Sequence, residues 1–144
     1  MSFFDHIPRM AYSKGLHQHL KGLSVTDCNS YDDVNRYQVV TIVIIVLSLL
    51  AMLNYYYGFC RNPRYTRRRV WFCHLLVAGI IASSIAYARA AGGLAEGRHC
   101  QDLHFNSLDC WLFGFSAMLY TWVFCFLFSL VLKWKSTANK KIPF

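Results

Sequence analysis

Three uncharged, apolar runs dominate this sequence and limit the folds that it can adopt. They cover residues 38–57, 70–88 and 110–132, and contain 20, 19 and 23 residues. A helix needs about 20 apolar residues to cross a bilayer core about 30 Å thick, so each run is long enough. In lipid a helix satisfies its own backbone hydrogen bonds, and a closed barrel would instead show alternating segments of about ten residues. The sequence therefore predicts an all-α integral membrane protein with three transmembrane helices.

Signals at the helix ends help to divide the chain. Ser30 and Asp33 have the spacing of a capping box, which predicts that the first helix begins near Tyr31. Further candidate ends are Thr66 before the second helix, Gly92-Gly93 after it, and Asn106 or Ser107 before the third. We predict a single membrane domain, whose segments are an N-terminal tail (1–36), three transmembrane helices (37–57, 70–91 and 110–134), two connectors (58–69 and 92–109) and a C-terminal tail (135–144).

The distribution of charge predicts how these helices are oriented. The chain has a net charge of +8 although 56% of it is hydrophobic. The first connector and the C-terminal end together hold nine of the 15 Lys and Arg residues and none of the seven Asp and Glu residues. Lys and Arg accumulate in cytoplasmic loops, and these two segments lie on the same side of a three-helix chain. The N-terminus is therefore predicted outside and the C-terminus inside.

The basic first connector also raises the question of anionic binding partners. Its five arginines are Arg61, Arg64, Arg67, Arg68 and Arg69. Orientation alone explains them, although such a cluster could also hold anionic lipid headgroups, at about 1 kcal/mol per cation. Since the surplus charge reports membrane orientation, it does not indicate nucleic-acid binding.

The external N-terminal tail contains a weak amphipathic pattern between residues 8 and 23. Met10, Leu16, Leu20 and Leu23 recur at near-helical spacing, with cations between them. This pattern is typical of a short helix that lies on a membrane surface or against a partner. Glycines within the segment weaken the prediction, and an irregular polar tail is the alternative.

The second transmembrane helix has one face of small residues. It comprises Ala78, Ala82, Ala86 and Ala90, with Gly79 and Ser83 beside them. Small residues at this spacing let helix backbones approach closely in lipid. The face is predicted to pack either inside the bundle or against a second protein.

Cysteine and histidine residues are candidates for a disulfide or a metal site on the external side. Cys28, Cys100 and Cys110 are all predicted outside, where one structural disulfide among them is plausible. External histidines, among them His17, His19, His99 and His104, match no established zinc spacing. We therefore predict no metal and no cofactor, and we expect these histidines at the surface.

Catalytic and transport machinery is not evident. No Asp, Glu, Lys or Arg lies in the middle of any apolar run, so a proton relay within one copy would lack its usual groups. His74 is close enough to the inner interface to reach towards Arg69 or lipid headgroups. We also find no nucleophile–base pair and no phosphate-binding loop, and predict that the protein is not an enzyme and has no evident small-molecule substrate.

The leading hypothesis is a structural or assembly subunit that packs against other membrane proteins or copies of itself. The three-helix, N-out and C-in plan occurs in viral matrix-type membrane proteins and in small subunits of bacterial envelope machines. By that analogy we expect a bacterial inner membrane and an envelope or secretion apparatus, with a plasma membrane or a viral or host membrane as alternatives. One functional alternative is a homo-oligomeric channel or channel accessory lined by Thr41, Ser48, Ser83 and Ser84. The other is a membrane thiol or quinone redox protein.

Overall fold

Four helices make up most of the part of the chain that the structure describes. The structure is a computed structural model that describes residues 13–23, 28, 31, 35–59, 68–95 and 104–135. The helices are α1 (Lys14–Leu20), α2 (Arg36–Leu53), α3 (Arg68–Ala95) and α4 (Ser107–Lys135), and α2 is followed directly by a π-helical turn (Asn54–Gly58).

Three of these helices are long and apolar enough to cross a membrane. The spans are Arg36–Gly58, Arg68–Gly92 and Ser107–Lys133. This confirms the prediction of a helical, multi-pass membrane protein for the described residues. At most 39% of the apolar 18-residue window in each span is buried inside the chain. Most of the surface of each span is therefore left to contact lipid or another protein.

The first long helix begins later than the capping-box spacing predicts. Tyr31 is not helical, and α2 starts at Arg36. Asn35 caps it, because the Asn35 side-chain oxygen accepts a hydrogen bond from the backbone N–H of Gln38 at 3.0 Å. The prediction of a start near Tyr31 is therefore wrong. Asparagine caps a helix as effectively as serine, and here Asn35 takes the role that was predicted for Ser30.

The other helix ends differ from the predictions in detail. The predicted stop of the second helix at Gly92-Gly93 is wrong, since α3 continues to Ala95. Glycine ends a helix only where the backbone turns left-handed, and among the described glycines only Gly22 has a positive φ. The third long helix begins at Ser107, directly after Asn106, one of its two candidate caps. There the Asp109 carboxylate accepts a hydrogen bond from the backbone N–H of Asn106 at 3.0 Å, which is half of a capping box. Thr66 lies outside the described residues.

Two clusters of buried side chains hold the bundle together. One includes Leu16 and Leu20 of α1 with Tyr37, Phe105 and Phe113, and lies at the end of the bundle where α1 sits. The other lies towards the opposite end and draws its residues from α2, its π-turn, α3 and α4. The most extensive helix–helix interface is that between α3 and α4.

Candidate functional surfaces

The small-residue face of α3 is buried inside the bundle. Its alanines are almost inaccessible: Ala78 is 2% exposed, Ala82 is 1% exposed, and Ala86 and Ala90 are fully buried. Gly79 is also buried and Ser83 is partly buried. The face therefore serves helix packing within the chain, and a second protein would have to contact a different surface.

Two glycines let α3 and α4 approach closely. A Cβ added to Gly79 would collide with Nε1 of Trp122 and come within 3.0 Å of Cγ of Met118. A Cβ added to Gly114 would come within 3.2 Å of the backbone oxygen of Ser83. Each of the two helices thus contributes a glycine against which the other helix packs. Small residues at such contacts stabilise helix association in lipid, because they let the backbones approach closely.

Several hydroxyl groups within the spans are buried and donate hydrogen bonds to the helix backbone. Thr41, Ser48 and Thr121 are buried, and each donates to the carbonyl oxygen four residues earlier, at 2.9, 2.7 and 2.8 Å. Ser84, in contrast, is exposed and bonds to the Ile80 carbonyl at 2.9 Å. Of the four residues in the channel hypothesis, Thr41 and Ser48 are buried, Ser83 is partly buried and Ser84 is exposed, so they do not share one surface.

A polar contact between two side chains joins the π-turn to α4. The hydroxyls of Tyr56 and Ser129 lie 2.6 Å apart, and both residues are buried. Sequence reasoning missed this pair because two hydroxyl residues 73 positions apart carry no local signal. The contact fixes the end of α2 against α4.

The short helix α1 is docked onto one end of the bundle. Leu16 and Leu20 are fully buried, and the backbone N–H of Ser13 donates to the Asp109 carboxylate at 3.2 Å. A Cβ on Gly15 would lie only 3.1 Å from the backbone oxygen of His104, so this glycine allows the close approach. The leucines of the amphipathic pattern thus pack against their own chain. We call α1 and the residues that it contacts, His104 to Asp109, the cap.

Two histidines of the cap are buried, and the expectation that they lie at the surface is wrong. His17 is 8% exposed and His19 is 6% exposed. The His17 ring meets the Tyr37 ring edge-on with centroids 5.5 Å apart, and the His19 ring stacks on Phe105 at 5.4 Å. Sequence reasoning missed the packing role of these histidine rings, because the amphipathic pattern was defined by apolar residues alone. Nη1 of Arg36 also lies 3.5 Å from Nε2 of His19.

The cap histidines do not form part of a metal site with other described residues. Among residues 13–23, 28, 31, 35–59, 68–95 and 104–135, no three His, Cys, Asp or Glu side chains are close enough to hold a metal ion. His99 lies outside these ranges.

One of the three candidate disulfide cysteines is buried within a helix. Cys110 is fully buried in α4 and is a free thiol. Its burial leaves Cys28 and Cys100 as the remaining external pair. Cys100 lies outside the described residues, so this pairing stays a prediction.

A groove between α2 and α3 opens on the surface of the spans. Its volume is about 560 Å³, and its walls are mostly apolar. Three of its lining residues are polar or carry a thiol, namely Asn54, Cys73 and His74. Asn54 is a further residue that sequence reasoning missed, although it is the one amide in residues 39–57.

His74 is held at this groove by its own helix. Its Nδ1 lies 2.9 Å from the Val70 carbonyl oxygen, one turn earlier in α3. Its ring meets those of Tyr55 and Phe59 edge-on, with centroids 5.4 and 4.7 Å apart. The described contacts of His74 are therefore with backbone and aromatic groups, whereas the expected partners were Arg69 and lipid headgroups.

The arginines of the first connector are described only in part. Arg68 and Arg69 are exposed in the first turn of α3. Arg61, Arg64 and Arg67 lie outside the described residues.

Comparison of the chain with protein-family models, curated proteins and solved structures finds no match.

Proposed function

We propose that this protein is a non-enzymatic structural or assembly subunit of a larger membrane complex, in which the cap is its docking surface. The observation that carries the proposal is the docked helix α1. Two fully buried leucines and the hydrogen bond from Ser13 to Asp109 hold it on the end of the bundle. A docked helix presents its outer face in a fixed geometry, which reduces the entropy lost when a partner binds.

The outer face of the cap is polar and carries both charge and amide groups. Lys14 and Gln18 of α1 are exposed, as is His104 in the segment that α1 covers. The buried side of the same helix packs two leucines and two histidine rings against the rest of the chain. This division supports binding of a soluble or extramembrane part of another subunit.

The lipid-exposed faces of the spans offer a second area for assembly. Large apolar side chains such as Ile80, Trp111 and Val131 are 59%, 60% and 64% exposed. These faces suit both lipid and neighbouring transmembrane helices. The alanine face of α3 is buried within the chain and is not available to a partner.

The proposed setting is a bacterial inner membrane, with the cap on the outer side and the C-terminus inside. Support comes from the basic first connector and C-terminal end, since Lys and Arg accumulate in cytoplasmic loops. A C-terminal fluorescent-protein fusion should be fluorescent, and an N-terminal epitope should be cleaved by protease added to spheroplasts. The opposite pattern of accessibility would reverse the proposed orientation.

Photocrosslinking tests the docking role. A photoreactive amino acid at Gln18 should give discrete protein adducts in native membranes, and complexes larger than the monomer should survive in mild detergent. Asp109→Ala, which removes the acceptor for Ser13, should weaken the adducts formed at Gln18. A photoreactive residue at Leu127, exposed in the α4 span, is the control for contacts within the membrane. Only monomers in detergent, with no protein adduct at either site, would refute the proposal.

The channel and redox alternatives have separate tests. Purified protein in liposomes should show no ion flux above empty liposomes, and measurable flux would favour a channel. Replacement of Cys28, Cys100 and Cys110 together should leave complex assembly in place, whereas loss of a thiol-dependent activity would favour a redox role.

A further inference from the structure

The groove between α2 and α3 is apolar at one end and polar at the other. Its apolar walls include Leu47, Leu50, Val77 and Ile81. Because α2 and α3 are consecutive spans, they run in opposite directions, so the later residues of α2 lie beside the earlier residues of α3. Asn54 and His74 consequently lie at the same end of the groove, and Leu47 and Ile81 lie at the other.

Two exposed arginines at the start of α3 precede the residues that line the polar end of the groove. Arg69 precedes Cys73 by one helical turn, so the two side chains share a face of α3, and Cys73 lines the groove. Arg68 and Arg69 are both exposed. A ligand with its apolar part in the groove would therefore place its polar part beside these arginines.

The π-turn positions the amide at this end. Asn54 is the first residue of the turn, and its side chain is exposed. A Cβ added to Gly58 would lie 2.8 Å from the side-chain oxygen of Asn54. The Asn54 side chain therefore folds back over the glycine.

We propose that this groove binds one anionic phospholipid from the leaflet on the arginine side. The headgroup phosphate lies beside Arg68 and Arg69 within reach of the Asn54 amide, and one acyl chain runs along the apolar walls. From Asn54 to Leu47 the groove extends for seven residues of α2, or about 10 Å at 1.5 Å per residue. Its volume of about 560 Å³ falls within the usual range of ligand sites, about 300–1,000 Å³.

Charge complementarity favours an anionic lipid over a neutral one or a partner helix. Basic residues beside a span attract anionic headgroups by about 1 kcal/mol per cation. A partner helix would leave these exposed arginines without a matching group, unless it brought its own acid to this depth.

Native mass spectrometry with paired variants tests the proposal. The full chain in mild detergent is offered equal amounts of phosphatidylglycerol and phosphatidylcholine with identical acyl chains. We expect preferential binding of one phosphatidylglycerol. Val77→Trp should fill the groove and remove the bound lipid. Ile80→Trp, on the same helix and equally exposed but outside the groove, should leave it bound.

A second pair of variants tests the headgroup contact. Arg69→Gln should lower the preference for phosphatidylglycerol by about five-fold, the equivalent of one lost cation at about 1 kcal/mol. Arg89→Gln, at the opposite end of α3, is the control and should not change it. Equal binding of the two lipids, or equal loss of lipid in Val77→Trp and Ile80→Trp, would overturn the proposal.

Discussion

The indole Nε1 of Trp122 donates a hydrogen bond to the backbone carbonyl oxygen of Leu75, 3.2 Å away, across the interface between α4 and α3. Gly79 lies one helical turn after Leu75, and the Trp122 ring occupies the space where a Cβ of residue 79 would stand. A bulky ring and a missing side chain therefore fit together at the most extensive interface of the bundle.

Gly79→Ala should destabilise the bundle by about 1–3 kcal/mol, the usual cost of overpacking a well-packed core. Helix propensity alone would give the opposite sign, because alanine is favoured over glycine by about 1 kcal/mol in a helix. Thermal unfolding in mild detergent, followed by circular dichroism, measures the difference. Gly92→Ala is the matched control, since no heavy atom lies within 4 Å of its added Cβ. Equal stability of the two variants would contradict the role given to Gly79.

Tyr56→Phe should lower the free energy of unfolding by about 0.5–1.5 kcal/mol, the usual net contribution of one hydrogen bond. The reason is that the Ser129 hydroxyl loses a buried partner 2.6 Å away. Tyr57→Phe removes the same hydroxyl from a side chain that is 58% exposed, and it should have little effect. Unfolding measured under identical detergent conditions compares the two, and a larger effect of Tyr57→Phe would disprove the assignment.

Asp109→Ala should loosen the cap without unfolding the spans. The carboxylate accepts hydrogen bonds from the backbone N–H groups of Ser13 and Asn106, at 3.2 and 3.0 Å. Hydrogen exchange of residues 14–20 should therefore become faster, while exchange within α3 stays slow. Asn35→Ala removes the side chain that caps the N-terminus of α2, at the same end of the bundle. This variant should leave hydrogen exchange in α1 unchanged. Unaltered protection of α1 in Asp109→Ala would show that the leucines hold the helix by themselves.

Cys28 and Cys100 should form the external disulfide. Cys110 is a buried free thiol, which leaves Cys28 and Cys100 as the other two cysteines that the sequence predicts outside. The predicted orientation places Cys100 on the same side of the membrane as Cys28, and Cys60 on the opposite side. Digestion without reduction should yield a peptide pair that links positions 28 and 100.

Thiol labelling provides the controls for that pairing. Cys100→Ser should expose one additional thiol, at Cys28, to a maleimide, and Cys110→Ser should leave the linked peptides intact. A link from Cys28 to Cys60 would contradict both the pairing and the predicted orientation.

The contacts within the cap could be predicted only in part from the sequence pattern. Leu16 and Leu20 stood out by their helical spacing, and both are fully buried. The same pattern could not identify an aromatic residue in their cluster, Phe105, because it lies more than 80 residues later in the chain. His17 and His19 are buried as well, since their rings pack on Tyr37 and Phe105.

The sequence by itself determined that the chain has three membrane-spanning helices, because a run of about 20 uncharged apolar residues has no other way to satisfy its backbone in lipid. It also marked the small face of α3, since helical spacing is a local property. Only the tertiary structure decided that Ala82 and Ala86 pack inside the bundle, that Trp122 fits over Gly79, and that Asn54 and His74 lie at one end of a groove. These features depend on which helix faces lie opposite each other, and that depends on shape complementarity between segments distant in the sequence.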